Sequence, residues 1–362
     1  MQTIQNCSTD TMVRRRIRVL VVDDSALMRQ MLRSVLNSDP DIEVVGTAPE
    51  PLSARQMIKD LNPDVVTLDV EMPKMDGLAF LNKIMTLRPM PVIMVSSLTK
   101  RGAETTLRAL EIGAVDFVTK PNGAAEESLS CLKADLIPKV KTAANAIVTA
   151  PVQHAPQSSS RPPQPATTWR RADTALIAIG ASTGGVAALQ KILATMPSTC
   201  PGIVIVQHMP PAFTKSFAAR LDKSSALTVV EARDGEPVLA GHAYVAPGGH
   251  HLKVTRGQKG LMCQVYDGSL VSGHKPSVDV LFQSVAKHVG ARSVGVILTG
   301  MGRDGAEGLL AMRDTGAVTF GQDQASCTVY GMPRAAMEIG AVTAELSLED
   351  VGRKICTASH AA

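Results

Sequence analysis

Residues 175–193 read ALIAIGASTGGVAALQKIL. An apolar run ends in Gly180-Ala181-Ser182-Thr183-Gly184-Gly185 and passes directly into a second, amphipathic run. That succession predicts a buried strand, a tight turn and a helix. It also matches G-x-S-x-G, the elbow in which a sharp strand-to-helix turn exposes a serine and glycines remove Cβ clashes. A glycine-rich phosphate loop competes with this reading, although the spacing is neither G-x-G-x-x-G nor G-x-x-x-x-G-K-[ST].

Working outward, GIVIVQHM (202–209), LTVVEA (227–232), HAYVAP (242–247) and SVGVILTG (293–300) read as further strands. Helix-like runs separate them, and the alternation predicts a doubly wound α/β domain. His208 directly follows a strand, so it is expected at the same sheet edge as Ser182. Asp304 follows the 293–300 strand through a glycine-rich turn. The three groups can therefore share a cleft, in which histidine takes the serine proton and aspartate fixes the imidazole tautomer. His242, His250, His251, His274 and His288 are rival bases that spacing does not exclude, and Asp304 can equally cap a helix. The chain order Ser…His…Asp differs from the Ser…Asp…His of α/β-hydrolases.

The first half carries a second α/β series. IRVLVVDD (17–24), IEVVGTA (42–48), DVVTLDV (64–70), PVIMVSS (91–97) and AVDFVTK (114–120) read as strands alternating with helices. The pattern predicts a five-unit βα domain with a parallel sheet. Asp23, Asp24, Asp69, Ser96 and Lys120 stand at its strand ends, where ligands gather. Three close carboxylates repel one another and call for a hard cation such as Mg²⁺. A metal-bound carboxylate beside a lysine ammonium is suited to accept a phosphoryl group.

Between the halves, residues 142–173 are rich in Pro, Ala, Ser and Gln, a linker composition. The expected division is an arm over 1–16, a domain over 17–141, the linker over 142–173 and a second domain over 174–360. Hydrophobic residues make up 45% and the formal charge is only +4, so the chain is globular and does not advertise nucleic-acid binding. No apolar run is long enough to span a membrane, and the N-terminus has no secretory pattern. The six cysteines form neither a C-x-x-C pair nor a metal spacing, which fits reduced thiols in a cytoplasmic protein.

The Asp-Asp pair, Asp69 followed by M-P-K-M-D-G, then Ser96 and Lys120-Pro121 resemble the receiver domain of bacterial response regulators. The resemblance implies Asp69 as phosphoacceptor. It also implies Asp23 and Asp24, with the Glu71 carbonyl, on Mg²⁺, Lys120 on the phosphoryl group, and Ser96 and Phe117 as switch residues. GASTGG, QHMP, YVAPGGHH, LTGMGRDGA and YGMP resemble the chemotaxis protein-glutamate methylesterases. That resemblance implies a Ser182/His208/Asp304 triad needing no cofactor, with an oxyanion held by the Met301 N–H and Thr183 beside the nucleophile. It further implies γ-glutamyl methyl esters and glutamines of chemoreceptor cytoplasmic domains as substrates, and a chemotaxis histidine kinase as phosphodonor. A response regulator with a DNA-binding output is the main alternative, but no arginine-rich recognition helix is present. A methylesterase acting on another methylated signalling protein is the second.

Overall fold

The computed structural model describes residues 15–72, 77–97, 99–121, 126–148, 175–258 and 260–357. The arm expected over 1–16 therefore lies almost wholly outside the described residues, as do positions 73–76 of the M-P-K-M-D-G motif.

The first unit runs β1 (Ile17–Val22), α1 (Ala26–Asn37), β2 (Ile42–Ala48), α2 (Pro51–Leu61), β3 (Val65–Asp69), α3 (Gly77–Leu87), β4 (Val92–Ser96), α4 (Lys100–Ile112), β5 (Asp116–Thr119) and α5 (Glu126–Ala143). Its sheet is parallel in the order β2-β1-β3-β4-β5. Strands β3 and β4 are buried at every position, because helices cover both faces and leave no polar side to alternate. Local signals start the helices: the Ser25 hydroxyl accepts from the Met28 N–H, the Thr99 hydroxyl accepts from the Gly102 N–H, and Pro51 opens α2.

The second unit runs β6 (Leu176–Ala181), α6 (Gly185–Leu193), β7 (Gly202–Gln207), α7 (Pro211–Ser224), β8 (Thr228–Glu231), β9 (His242–Val245), β10 (His251–Gly257), β11 (Gly260–Tyr266), α8 (Val278–His288), β12 (Ser293–Ile297), α9 (Ala306–Asp314), β13 (Val318–Gln322), α10 (Met332–Glu338), β14 (Ala344–Leu346) and α11 (Leu348–Thr357). Seven parallel strands lie in the order β14-β13-β12-β6-β7-β9-β8. Strand β6 sits near the centre; on one side lie β7, β9 and β8, the chain reaching the edge at β8 before returning to β9, and on the other it winds outward through β12, β13 and β14. The order reverses between β6 and β12, the crevice where open α/β sheets bind ligands. An antiparallel hairpin, β10–β11, stands outside this sheet with β10 packed on α8.

One apolar cluster runs without a break from the first unit into the second, through Phe117 of β5 and Phe213 of α7, whose ring centroids are 4.5 Å apart. Helix α5 ends at Ala143, within the stretch expected as linker. The chain beyond it is fixed to the second unit by the Ile147 N–H, which donates to the Thr328 carbonyl at 3.2 Å. Residues 149–173, the remainder of that stretch, lie outside the described residues.

Candidate functional site

At the strand ends of the first unit, Asp23 and Asp69 are fully buried and Asp24 is exposed. One oxygen from each of the three lies within 4.8 Å of the others. Lys120 Nζ is 3.1 Å from Asp23 Oδ2 and 2.8 Å from Asp69 Oδ2. Three carboxylates against one ammonium leave two negative charges uncompensated. Burial, with repulsion from Asp23, pushes the Asp69 carboxyl up to about 6 against the pull of Lys120. A divalent cation would supply the missing charge, and the all-oxygen donor set suits Mg²⁺. The Glu71 N–H donates to Asp69 Oδ1 at 3.2 Å, so the residue expected to offer its carbonyl sits beside the carboxylate.

Ser96, buried at the end of β4, is turned toward α4: its hydroxyl accepts from Thr106 Oγ1 at 2.7 Å. Phe117 is also buried, against Phe213, with the Lys139 ammonium 5.4 Å from its ring. Both expected switch side chains are thus engaged by other partners, Ser96 by Thr106 and Phe117 by Phe213.

In the second unit, Ser182 follows β6 at the elbow and His208 follows β7, so both leave adjacent strands at the carboxyl edge. The elbow closes through the Gly185 N–H, which donates to the Ser182 carbonyl at 2.7 Å, and Gly184 takes a φ of +79° that a side chain would oppose. Asp304 arrives from the loop after β12, on the far side of the switch point. His208 Nε2 lies 2.8 Å from Asp304 Oδ2, and because a carboxylate only accepts, Nε2 carries the proton. His208 Nδ1 is then the basic nitrogen; it is buried and has no hydrogen-bond partner among the described residues. Ser182 lines the same cleft, without the closed Ser–His hydrogen bond that substrate-free sites often lack.

Asp304 is fixed by the start of α8. Ser277 Oγ donates to its Oδ1 at 2.7 Å, Val278 N–H to its Oδ2 at 2.7 Å and Asp279 N–H to its Oδ1 at 3.2 Å. Burial alone would raise this carboxyl, but the His208 partner and these donors hold it below the usual range. Sequence reasoning placed Asp304 but missed its holders. The signal was there, since Ser277-Val278-Asp279 is a serine cap with an acid in the first turn. Gln207 was likewise missed: its Nε2 donates to the Ser182 and His208 carbonyls at 2.9 and 3.2 Å, tying the two reactive residues together.

Of the rival histidines, His274 shares the cleft and stacks on His208, whereas His251 is engaged by the Ser269 carbonyl and the Ser277 N–H. Met301 lies on the cleft rim, 41% exposed, and the Thr142 hydroxyl of α5 contacts its sulfur at 2.9 Å. Thr183 Oγ1 donates to Asp116 Oδ2 at the start of β5. The cleft, about 670 Å³, is walled on one side by Ser182, His208, His274 and Met301 and on the other by Asp116, Phe117, Asp135 and Lys139 of the first unit. Glu111 of α4 and Arg220 of α7 join the two units with a bidentate ion pair.

Residues 177–355 match the family model CheB methylesterase, and residues 19–129 match the response regulator receiver domain. A protein-glutamate methylesterase/protein-glutamine glutaminase of Caulobacter vibrioides is 59% identical over 94% of this chain and 97% of its own length. A namesake from Salmonella choleraesuis is 53% identical over 94% of this chain and 96% of its own. The crystal structure of the Thermotoga maritima CheB methylesterase catalytic domain superposes with a TM-score of 0.50 at 36% identity, covering 51% of this chain and 98% of that one. No described helix is long and apolar enough to cross a membrane. With a receiver unit ahead of a serine-elbow sheet, and relatives of this similarity over nearly all its length, the chain belongs to the protein-glutamate methylesterase/protein-glutamine glutaminase family.

Proposed function

We propose that the chain is a cytoplasmic, phosphorylation-gated serine hydrolase. It removes methyl groups from γ-glutamyl esters on chemoreceptor cytoplasmic domains and deamidates receptor glutamines. The observation that carries the reading is the convergence of Ser182, His208 and Asp304 on one switch-point cleft that the receiver covers.

Ser182 Oγ attacks the ester carbonyl while its proton passes to His208 Nδ1, and Asp304 stabilises the imidazolium through Nε2–H. The oxyanion faces the glycine-rich turn after β12, where the Met301 N–H makes no hydrogen bond among the described residues. Thr183, the other residue expected there, has its hydroxyl taken up by Asp116 and is free to contribute only when the receiver leaves. Collapse of the tetrahedral adduct breaks the bond to methoxide, which leaves as methanol with the proton from His208. Water, deprotonated by His208, then attacks the Ser182 ester, and glutamate departs as Ser182 regains its proton. With an amide substrate the leaving group is ammonia.

In the receiver, Asp23, Asp24 and Asp69, with the Glu71 carbonyl, would hold Mg²⁺, which when bound offsets phosphoryl charge. Asp69 accepts the phosphoryl group from a chemotaxis histidine kinase, and Lys120 contacts it. Ser96 then leaves Thr106 for the phosphoryl oxygens, and Phe117 loses its seat on Phe213. That weakens the face closing the cleft, and a differential of about 1.4 kcal/mol already shifts the open-to-closed ratio tenfold.

Replacing Ser182 or His208 with Ala should lower methanol release from methylated receptor membranes by on the order of 10⁶. A folded Ser182→Ala variant that keeps near-normal release overturns the nucleophile assignment.

A further inference from the structure

His208 is held at its edge by Asp304, but one hydrogen bond leaves the imidazole plane able to swing about the line from its attachment to Nε2. Where the ring swings, Nδ1 swings too, and with it the aim at the Ser182 proton. The other constraint is a second ring. His274 lies flat on His208, centroids 3.7 Å apart and planes 10° from parallel.

This placement is built by a dedicated turn. Ser272 (φ +53°) and Gly273 (φ +80°) form the two-residue corner of a tight hairpin. The Val271 N–H donates to the His274 carbonyl at 3.1 Å, and the His274 N–H to the Val271 carbonyl at 2.9 Å. Ser272 Oγ donates to Asp279 Oδ2 at 3.4 Å, anchoring the turn to α8. Ser277, Val278 and Asp279 of the same segment donate to Asp304. Residues 271–279 therefore govern both contacts of His208, its edge through Asp304 and its face through His274.

We infer that His274 is a positioning residue for the hydrolysis, acting through His208 by fixing the plane of the ring and hence the direction of Nδ1. This rests on the triad reading given above. The partner ring must stay uncharged, since His208 becomes a cation in the transition state. Burial, and then the neighbouring His208, push His274 down to about 4 against the pull of Asp304, so it is neutral where the enzyme works.

The test uses the full chain at saturating phosphodonor, with His274→Ala, His274→Phe and His274→Leu beside His208→Gln. The first readout is kcat and KM on methylated receptor membranes. The second is the ¹⁵N imidazole NMR signature of the His208 tautomer. His274→Ala and His274→Leu should lose roughly 10- to 100-fold in kcat, with KM within about twofold. His274→Phe, a neutral flat ring, should recover most of the rate, and the Nε2-protonated His208 tautomer that Asp304 sets should persist in all three variants. The Leu variant keeps the bulk, so it carries the comparison if Ala unfolds. Wild-type kcat in the Leu variant, with His208→Gln inactive, overturns the positioning role and leaves the triad standing. Activity in His208→Gln with loss in His274→Phe makes His274 the base and overturns the triad itself.

Discussion

Thr183, the residue after the candidate nucleophile, donates its hydroxyl hydrogen bond to Asp116 at the start of receiver strand β5. The receiver thus touches the chain within one residue of the chemistry. Asp116→Ala should raise the unphosphorylated methanol-release rate by roughly tenfold or more, since a charge-assisted hydrogen bond is worth about 1.5–3 kcal/mol. The rate at saturating phosphodonor should stay unchanged. An unaltered basal rate would show that this bond does not hold the closed form.

The Glu111–Arg220 pair closes the same interface from α4 to α7, with both side chains mostly covered. Glu111→Arg places two cations together and should raise basal activity about fivefold or more, as like charges cost at least about 1 kcal/mol there. Adding Arg220→Glu should bring the rate back toward wild type. A double variant as active as the single one would show that the ion pair does not hold the closed form.

Asp304 holds His208 in one tautomer and is itself held by three donors from residues 277–279. Asp304→Asn should lower kcat by about 10⁴, the cost of the wrong tautomer in the serine-protease triad. Ser277→Ala removes one donor of three and should cost far less, about tenfold. Steady-state methanol release checks both; a mild Asn effect would move the orienting role elsewhere.

Asp69 titrates near 6 because burial, then Asp23, disfavours its charge. The folded chain thus binds this proton more tightly than the unfolded one. Its stabilising contribution is present below about pH 4 and is lost as pH rises through about 6. Without divalent ions, Asp69→Asn should therefore stabilise the receiver by about 2–3 kcal/mol at pH 7.5, with the gain vanishing near pH 4. Denaturant titrations at the two pH values check this, and Mg²⁺ should narrow the gap at pH 7.5. Equal stability at pH 7.5 would mean that Asp69 is already neutralised by Lys120.

The strands that deliver chemistry were legible because each is a short apolar run ending in a polar group, as in GIVIVQ before His208. The hairpin β10–β11 was not, because its strands are half exposed and lie outside the main sheet, where neither clean alternation nor a continuous apolar run survives. Helix α5 was implied by the five-unit pattern but shows no clear run of its own, because Pro138 lies in its interior and its apolar periodicity is weak. At the site, strand ends offered Ser182, His208 and Asp304 as candidates, and only the family resemblance set them above the rival histidines. Gln207, Ser277 and the stacking face of His274 act across long sequence distances and leave only local cap or turn signals. The receiver contacts of Thr183 and Phe117 lie between units, and no periodicity within either unit encodes them.

Phosphorylation of Asp69 is expected to uncover Ser182. The most direct measurement is the initial rate of methanol release by the full chain, with and without acetyl phosphate and Mg²⁺, beside Asp69→Ala and Ser182→Ala. The rate should rise about tenfold or more in the wild-type chain, stay low and flat in Asp69→Ala, and vanish in Ser182→Ala. A wild-type rate indifferent to the phosphodonor, or an Asp69→Ala variant stimulated as strongly as wild type, would contradict it.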